Sequence, residues 1–209
     1  NYMAHILEAV ELTGDDRKPD FPPVFMRSAN SLLGHGQPLL KPLASDQLDW
    51  EAELAVVIGR TVPRHVRKEE ALSYVGGYSC FNDGSVRDWQ LRTTQWTLGK
   101  NFDATGAFGP EMVPPEELPP GASGLRIQAR VNGAIMQDSN TAKMIFSVAD
   151  SIAILAEAMT LYVGDVIIMG TCEGVGLTRK PPIFMKAGDV CEIEIESIGV
   201  LRNPIVNEQ

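Results

Sequence analysis

The sequence predicts a mixed fold of strands and a few helices in one globular chain, and three stretches carry that prediction. Residues 50–59, W-E-A-E-L-A-V-V-I-G, open with alternating carboxylates and then turn apolar on both faces, which describes a strand covered on both sides. Residues 127–131 and 134–137 flank Asn132-Gly133, a pair suited to the two positive φ angles of a type I′ turn, and form a β-hairpin. Residues 147–159 form a helix, capped by Ser147 with Asp150 three positions on, that buries Val148, Ile152, Leu155 and Met159.

Length and composition narrow the function classes. With 209 residues, 44% hydrophobic and 22% charged, the chain can bury a real core and reads as ordinary soluble protein. A net charge of −9 without an offsetting basic cluster argues against nucleic acid as a partner. Cys80, Cys172 and Cys191 are odd in number and lack metal-ligand spacing, so reduced thiols and a cytoplasmic location are expected. The most apolar long region, 148–169, is broken by Asp150, Glu157 and Asp165, and no membrane partner is expected.

The elements follow in order. Residues 1–10 read as a short helix with His5 and Glu8 on one face, a spacing that serves a proton-transfer pair and an ordinary charged surface alike. Residues 13–23, with Gly14, Asp15, Asp16, Lys18 and Pro19, form a polar connection able to act as a hinge. Residues 24–27 suggest a short strand, and 28–42 a loop carrying His35 between two glycines. A helix is expected within 63–75, with Ala71, Leu72 and Val75 at helical spacing, ended by Gly76-Gly77. Residues 78–81 return to strand and run into the polar cluster 82–88. Residues 98–103 bring Lys100 between a glycine and an aromatic, and 114–124 form a Pro-rich surface loop. After a turn at Gly164-Asp165, strand 166–169 ends in the Gly-rich turn 170–176, whose N–H groups and Thr171 hydroxyl could cradle an anion. Strand 190–196 closes the series.

The chemistry gathers on the acidic strand. Glu51 and Glu53 point to one side of the sheet, close enough to share a cation, and Asp83 can supply a third carboxylate. Three such oxygens are hard ligands, suited to magnesium, manganese or calcium rather than zinc. The competing reading is a solvated strand face. Glu192, Glu194 and Glu196 alternate with Cys191, Ile193 and Ile195 in that ordinary way. What separates the first strand is its apolar continuation, where an unpaired carboxylate is costly.

Together these pieces resemble the fumarylacetoacetate hydrolase superfamily, in its acylpyruvase and hydroxyhepta-diene-dioate isomerase-like branch, over nearly the whole chain. The resemblance rests on N-Y-M-A-H-I-L-E at 1–8, E-A-E-L at 51–54, N-D-G-S-V-R-D-W-Q at 82–90, K-N-F-D at 100–103, V-N-G at 131–133, and the glycines at 170, 174 and 176 with Thr171. It implies an α+β fold, a partly open rolled mixed β-sheet with flanking helices. Residues 1–23 would be a lid segment and hinge, and 24–209 the catalytic domain. It also implies a homodimer acting on a small anionic substrate. Glu51, Glu53 and Asp83 match the family's ligands for Mg2+ or Mn2+, with Ca2+ a further option. Lys100 matches the lysine near the substrate, Arg87 and Gln90 the polar groups behind the metal, Thr171 a hydroxyl holding a substrate carboxylate, and His5 with Glu8 the lid dyad. Cys172 and Arg27 depart from the pattern, where Pro and Lys are common, and both lie toward the substrate's distal end.

The expectation is metal-assisted hydrolysis of a carbon–carbon bond in an acylpyruvate-type 2-oxo acid, through an enolate, with His5 oriented by Glu8 activating water. Decarboxylation of a 2-oxo dicarboxylate such as oxaloacetate, hydroxymuconate-type isomerisation and cleavage of a ureidoglycolate-type adduct are alternatives that share the site. From another class comes a catalytically silent, metal-stabilised dimer.

Overall fold

The computed structural model describes residues 1–10, 14 and 16–209; Thr13 and Asp15, in the expected hinge, lie outside the described residues. One of its two central buried strands grows from the acidic stretch. β4 (Ala52–Ile58) is buried along nearly its whole length, as an apolar run on both faces requires. It lies antiparallel between β5 (Val75–Asp83) and the short edge strand β10 (Val166–Ile168). β5 pairs with β7 (Gly106–Val113), and β1 (Leu32–Gly34) adds a parallel edge. A second five-stranded sheet runs β2 (Leu39–Lys41), β12 (Gly199–Asn207), β11 (Val190–Ile195), β8 (Arg126–Val131) and β9 (Ala134–Asn140), again with one parallel edge pair, β2 on β12. β3 (Leu48–Asp49) and β6 (Ser85–Val86) make a small ladder beside the first sheet. The second sheet packs through β8, β11 and β12 onto β4, β5 and β7, and the core lies between them, with Leu54, Val56, Ile127, Ile193 and Leu201 almost fully buried. This is an α+β architecture of open mixed sheets with few helices. Among the described residues no helix is long and apolar enough to cross a membrane.

The hairpin forms as expected, Asn132 at φ 51° and Gly133 at φ 79° joining β8 to β9. The capped helix spans Val148–Ala158, with Ser147 and Asp150 in a reciprocal capping box. Its buried face is Val148, Ser151, Ile152 and Ala156. Leu155 is only half-buried, and Met159 is exposed because its backbone has already turned extended, carrying the side chain off the helical face.

Three other expectations are corrected. Residues 24–27 form no strand; the Asn101 side-chain amide instead donates to the Met26 carbonyl and accepts from the Ser28 N–H, replacing a ladder. The helix within 63–75 shrinks to Lys68–Ala71 and a 3-10 turn, Leu72–Tyr74, because His65 holds a positive φ of 63° and gives its N–H to Ala156 across the fold. Gly76-Gly77 do not end a helix but lie inside β5, whose backbone there closes on the end of β4. A Cβ on Gly76 would sit 2.7 Å from the Gly59 Cα, so only glycine permits that approach.

Candidate active site

The acidic cluster follows from register. Ala52 stands opposite Asn82, so Glu51 meets Asp83 across the ladder, and the Asp83 N–H donates to the Glu51 carbonyl. Glu53 lies two residues along on the same face. Glu51 itself precedes β4, since its N–H goes to the Asn82 side chain while Ala52 N–H goes to Gln137 Oε1. The three carboxylates are almost fully buried and offer oxygens all within 4.8 Å of one another.

Three buried cations surround them. Lys100 Nζ bridges Glu51 Oε2 at 2.7 Å and Asp83 Oδ2 at 2.6 Å. Arg87 donates through Nη1 to Glu51 Oε1 at 2.7 Å and through Nε to Asp49 Oδ2 at 2.8 Å, with Gln90 accepting from Nη1 behind it. Arg27 reaches Asp83 Oδ1 at 2.5 Å and also bonds Thr105. Burial alone would raise the Glu51 carboxyl, but Lys100 and Arg87 outweigh it and hold Glu51 well below the usual carboxylate range. For Glu53 the pull of Lys100 is outweighed. Burial, then the charges of Asp83 and Glu51, push its carboxyl well above the usual range, and the Gly170 backbone N–H donates to it.

That imbalance is the test of whether a cation suits the site. Among the described residues Asp49, Glu51, Glu53 and Asp83 face the side chains of Arg27, Arg87 and Lys100, and Glu53 is the carboxyl with no side-chain ion pair, where a negative charge is costly to hold. Each carboxylate oxygen can accept from an N–H and still present a lone pair. A hard divalent cation fits this donor set.

The Gly-rich turn does cradle anions, and they are the protein's own. Gly170 N–H donates to Glu53, Gly174 N–H to Glu8 Oε2 at 2.8 Å, Gly176 N–H to Asp49 Oδ1 at 2.8 Å and Leu177 N–H to Asp49 Oδ2 at 2.9 Å. The N-terminal helix, Met3–Glu8, buries no residue of its own and is held at its ends. Tyr2 is buried and bridges to Met144, Asn1 bonds both backbone groups of Phe146, and Glu8 is fixed by Gly174. The other Glu8 oxygen lies 2.8 Å from His5 Nδ1, and His5 is near enough for its charge to act on Glu51.

All the residues named from sequence therefore converge, but not all face a substrate. Thr171 donates its hydroxyl hydrogen to the Ala52 carbonyl and accepts from Gln137 Nε2, so its hydroxyl is engaged within the protein. Arg87 and Gln90 sit behind Glu51. Sequence reading missed Asp49, Gln137 and the indole of Trp50. Asp49 had a signal, because the alternation Asp49, Glu51, Glu53 begins one step earlier than the strand it was read from. Arg27, expected toward the substrate's distal end, instead pairs with Asp83 in the cluster, and neither Gln137 nor Trp50 had a local cue.

Comparison with known proteins agrees with this fold. The family model described as Fumarylacetoacetate (FAA) hydrolase C-terminal matches residues 1–206. The chain is 40% identical over 207 residues to a protein of Rattus norvegicus named oxaloacetate tautomerase Fahd2a, mitochondrial, covering 99% of this chain and 64% of that one. It is 42% identical over 190 residues to oxaloacetate tautomerase FAHD2A, mitochondrial, of Homo sapiens, covering 90% and 60%. It thus spans about 60 to 64% of the length of these relatives. Among solved structures, a putative HpcE protein from Mycobacterium smegmatis superposes with a TM-score of 0.91 at 35% identity, covering 100% of this chain and 72% of that one. The 5-carboxymethyl-2-hydroxymuconate delta-isomerase from the same organism gives 0.85 at 34%, covering 100% and 76%.

Proposed function

Because the chain belongs to the fumarylacetoacetate hydrolase family, we propose that it is an enzyme that moves a proton beside the keto group of a small 2-oxo dicarboxylate of the oxaloacetate type, interconverting keto and enol forms. The observation that carries this reading is the His5–Glu8 pair seated beside the carboxylate cluster. With Nδ1 committed to Glu8, His5 has Nε2 left to exchange a proton, and the carboxylate of Glu8 stabilises the ring when it gains one. Lys100, buried between Glu51 and Asp83, offsets part of the negative charge that an anionic substrate would meet at the cluster. A divalent ion held by Glu51, Glu53 and Asp83 would supply Lewis acidity to the keto oxygen. Tautomerisation needs nothing beyond this set. The acylpyruvate hydrolysis expected from the sequence needs an attacking water as well, and the names of the relatives favour proton transfer over it.

The test is the decay of enol oxaloacetate, followed by its ultraviolet absorbance with added Mg2+ or Mn2+, beside pyruvate release from an acylpyruvate and carbon dioxide release from oxaloacetate. Catalysed enol decay that falls about a hundredfold or more in His5→Ala is the expected result. Pyruvate release without enol decay would return the assignment to hydrolysis, and inactivity on every substrate would favour a structural metal site.

A further inference from the structure

We infer that the turn from Gly174 to Leu177 is a junction that positions the His5–Glu8 helix from the acidic cluster, with Asp49 and Trp50 as its positioning residues. This deepens the proposed function and rests on it for the role of the dyad. The connections run through hydrogen bonds. Glu8 Oε2 accepts from Gly174 N–H at 2.8 Å. The carbonyl of that same glycine accepts from the Trp50 indole N–H at 3.3 Å and from Arg179 Nη2 at 3.2 Å. Two residues on, Gly176 and Leu177 give their N–H groups to the two oxygens of Asp49, which also accepts from Trp50 N–H at 2.8 Å and from Arg87 Nε. Arg87 in turn holds Glu51. The chain of contacts from His5 to Glu51 therefore passes through one turn and one buried aspartate.

The turn is built to transmit position rather than absorb it. Gly174 sits at φ 99°, and a Cβ there would meet the Met136 carbonyl at 2.3 Å; at Gly176 it would meet the Ile183 carbonyl at 1.9 Å. Asp49 and Trp50 are completely buried, so neither has room to relax away from its partners. The helix has no buried residue of its own to hold it independently. Its seating is set by Glu8 at one end and by Asn1 and Tyr2 at the other.

The experiment is amide hydrogen exchange of the N-terminal helix, read at Ile6 and Ala9, whose N–H groups bond Tyr2 and His5, in wild type, Asp49→Asn and Trp50→Phe. Neither substituted side chain has a hydrogen bond to that helix. Trp50→Phe removes one N–H and keeps an aromatic body in the core, so it carries the test where Asp49→Asn does not fold. The expected result is exchange about tenfold faster at both amides in each folded variant, with kcat on enol oxaloacetate lowered in parallel and KM within about twofold. Exchange unchanged in folded variants overturns the junction, whatever the activity. Faster exchange in a protein whose wild type has no turnover leaves the junction standing and removes the tautomerase reading instead.

Discussion

Two strands of this molecule carry glutamates at every second position, and they behave as opposites. Glu51 and Glu53 are 5% and 3% exposed, at the head of a strand covered on both sides. Glu192 and Glu194, in β11, have side chains 23% and 40% exposed and alternate with buried Cys191, Ile193 and Ile195. Both pairs have cations nearby. On β11 a partly exposed Arg130 serves both glutamates from the neighbouring strand, and Arg202 on β12 adds a longer contact to Glu192. At the cluster, Lys100, Arg87 and Arg27 arrive from three separate stretches and are themselves buried. Alternation alone therefore says only which way the carboxylates point. Burial decides what it costs to keep them charged, and the supply of counter-charges decides where a deficit remains.

The largest expected contrast comes from removing one cation on each side. Lys100→Met deletes the ammonium shared by Glu51 and Asp83 and leaves two buried carboxylates short of a partner, which should cost about 3–5 kcal/mol. Arg130→Met does the formally equivalent thing on β11, where water replaces the lost partner, and should cost about 1 kcal/mol or less. Urea unfolding of both variants without added metal measures the difference. Equal losses would mean that burial does not distinguish the two strands.

Glu53→Gln sharpens the same contrast from the anionic side. Glutamine keeps an oxygen for the Gly170 N–H while removing the carboxyl that, among the described residues, has no side-chain ion pair. Stability in the absence of metal should hold or rise, by about 1–3 kcal/mol, while Mn2+ affinity measured by titration calorimetry falls about tenfold or more. A variant that loses stability without metal would show that the charge deficit is not where the structure puts it.

How much of this was legible in the sequence follows the same division. The hairpin at Asn132-Gly133 and the Ser147–Asp150 cap were readable because each is decided within a few residues. The convergence of Glu51, Glu53 and Asp83 was readable because strand alternation is local and Asp83 closes a strand. Gly76-Gly77 were misread because their need arises between strands, from the Gly59 backbone at Gly76 and from Met112 and the Val113 carbonyl at Gly77, and not from their own neighbours. The same holds for Thr171. Its type invited a ligand role, yet Ala52 and Gln137, far away in sequence, take up its hydroxyl. Arg27 was invisible as a site cation because nothing within residues 24–27 reports the distant Asp83 it meets.

The smallest effect belongs to the outer face of the second sheet, and it tests whether that face is as solvated as the contrast requires. Arg126 pairs with Asp138 through two bonds, 2.9 and 2.6 Å, with both side chains about half exposed. The Arg126 hydrogen bond holds the Asp138 carboxyl below its usual value. A carboxyl lowered in the folded state adds stability above its unfolded value, about 3.9, and loses it as pH falls through the lower folded value. The stability difference between wild type and Asp138→Asn should therefore be present at neutral pH in dilute buffer and fade as the pH is taken below about 4. At neutral pH it should also shrink in about 1 M salt, where charges more than about 3 Å apart are screened. Thermal melts of the two proteins over that pH and salt grid make the measurement. A difference that survived high salt undiminished would mean that this face is shielded from solvent, and the β11 glutamates would then no longer serve as the exposed counterpart of the buried cluster.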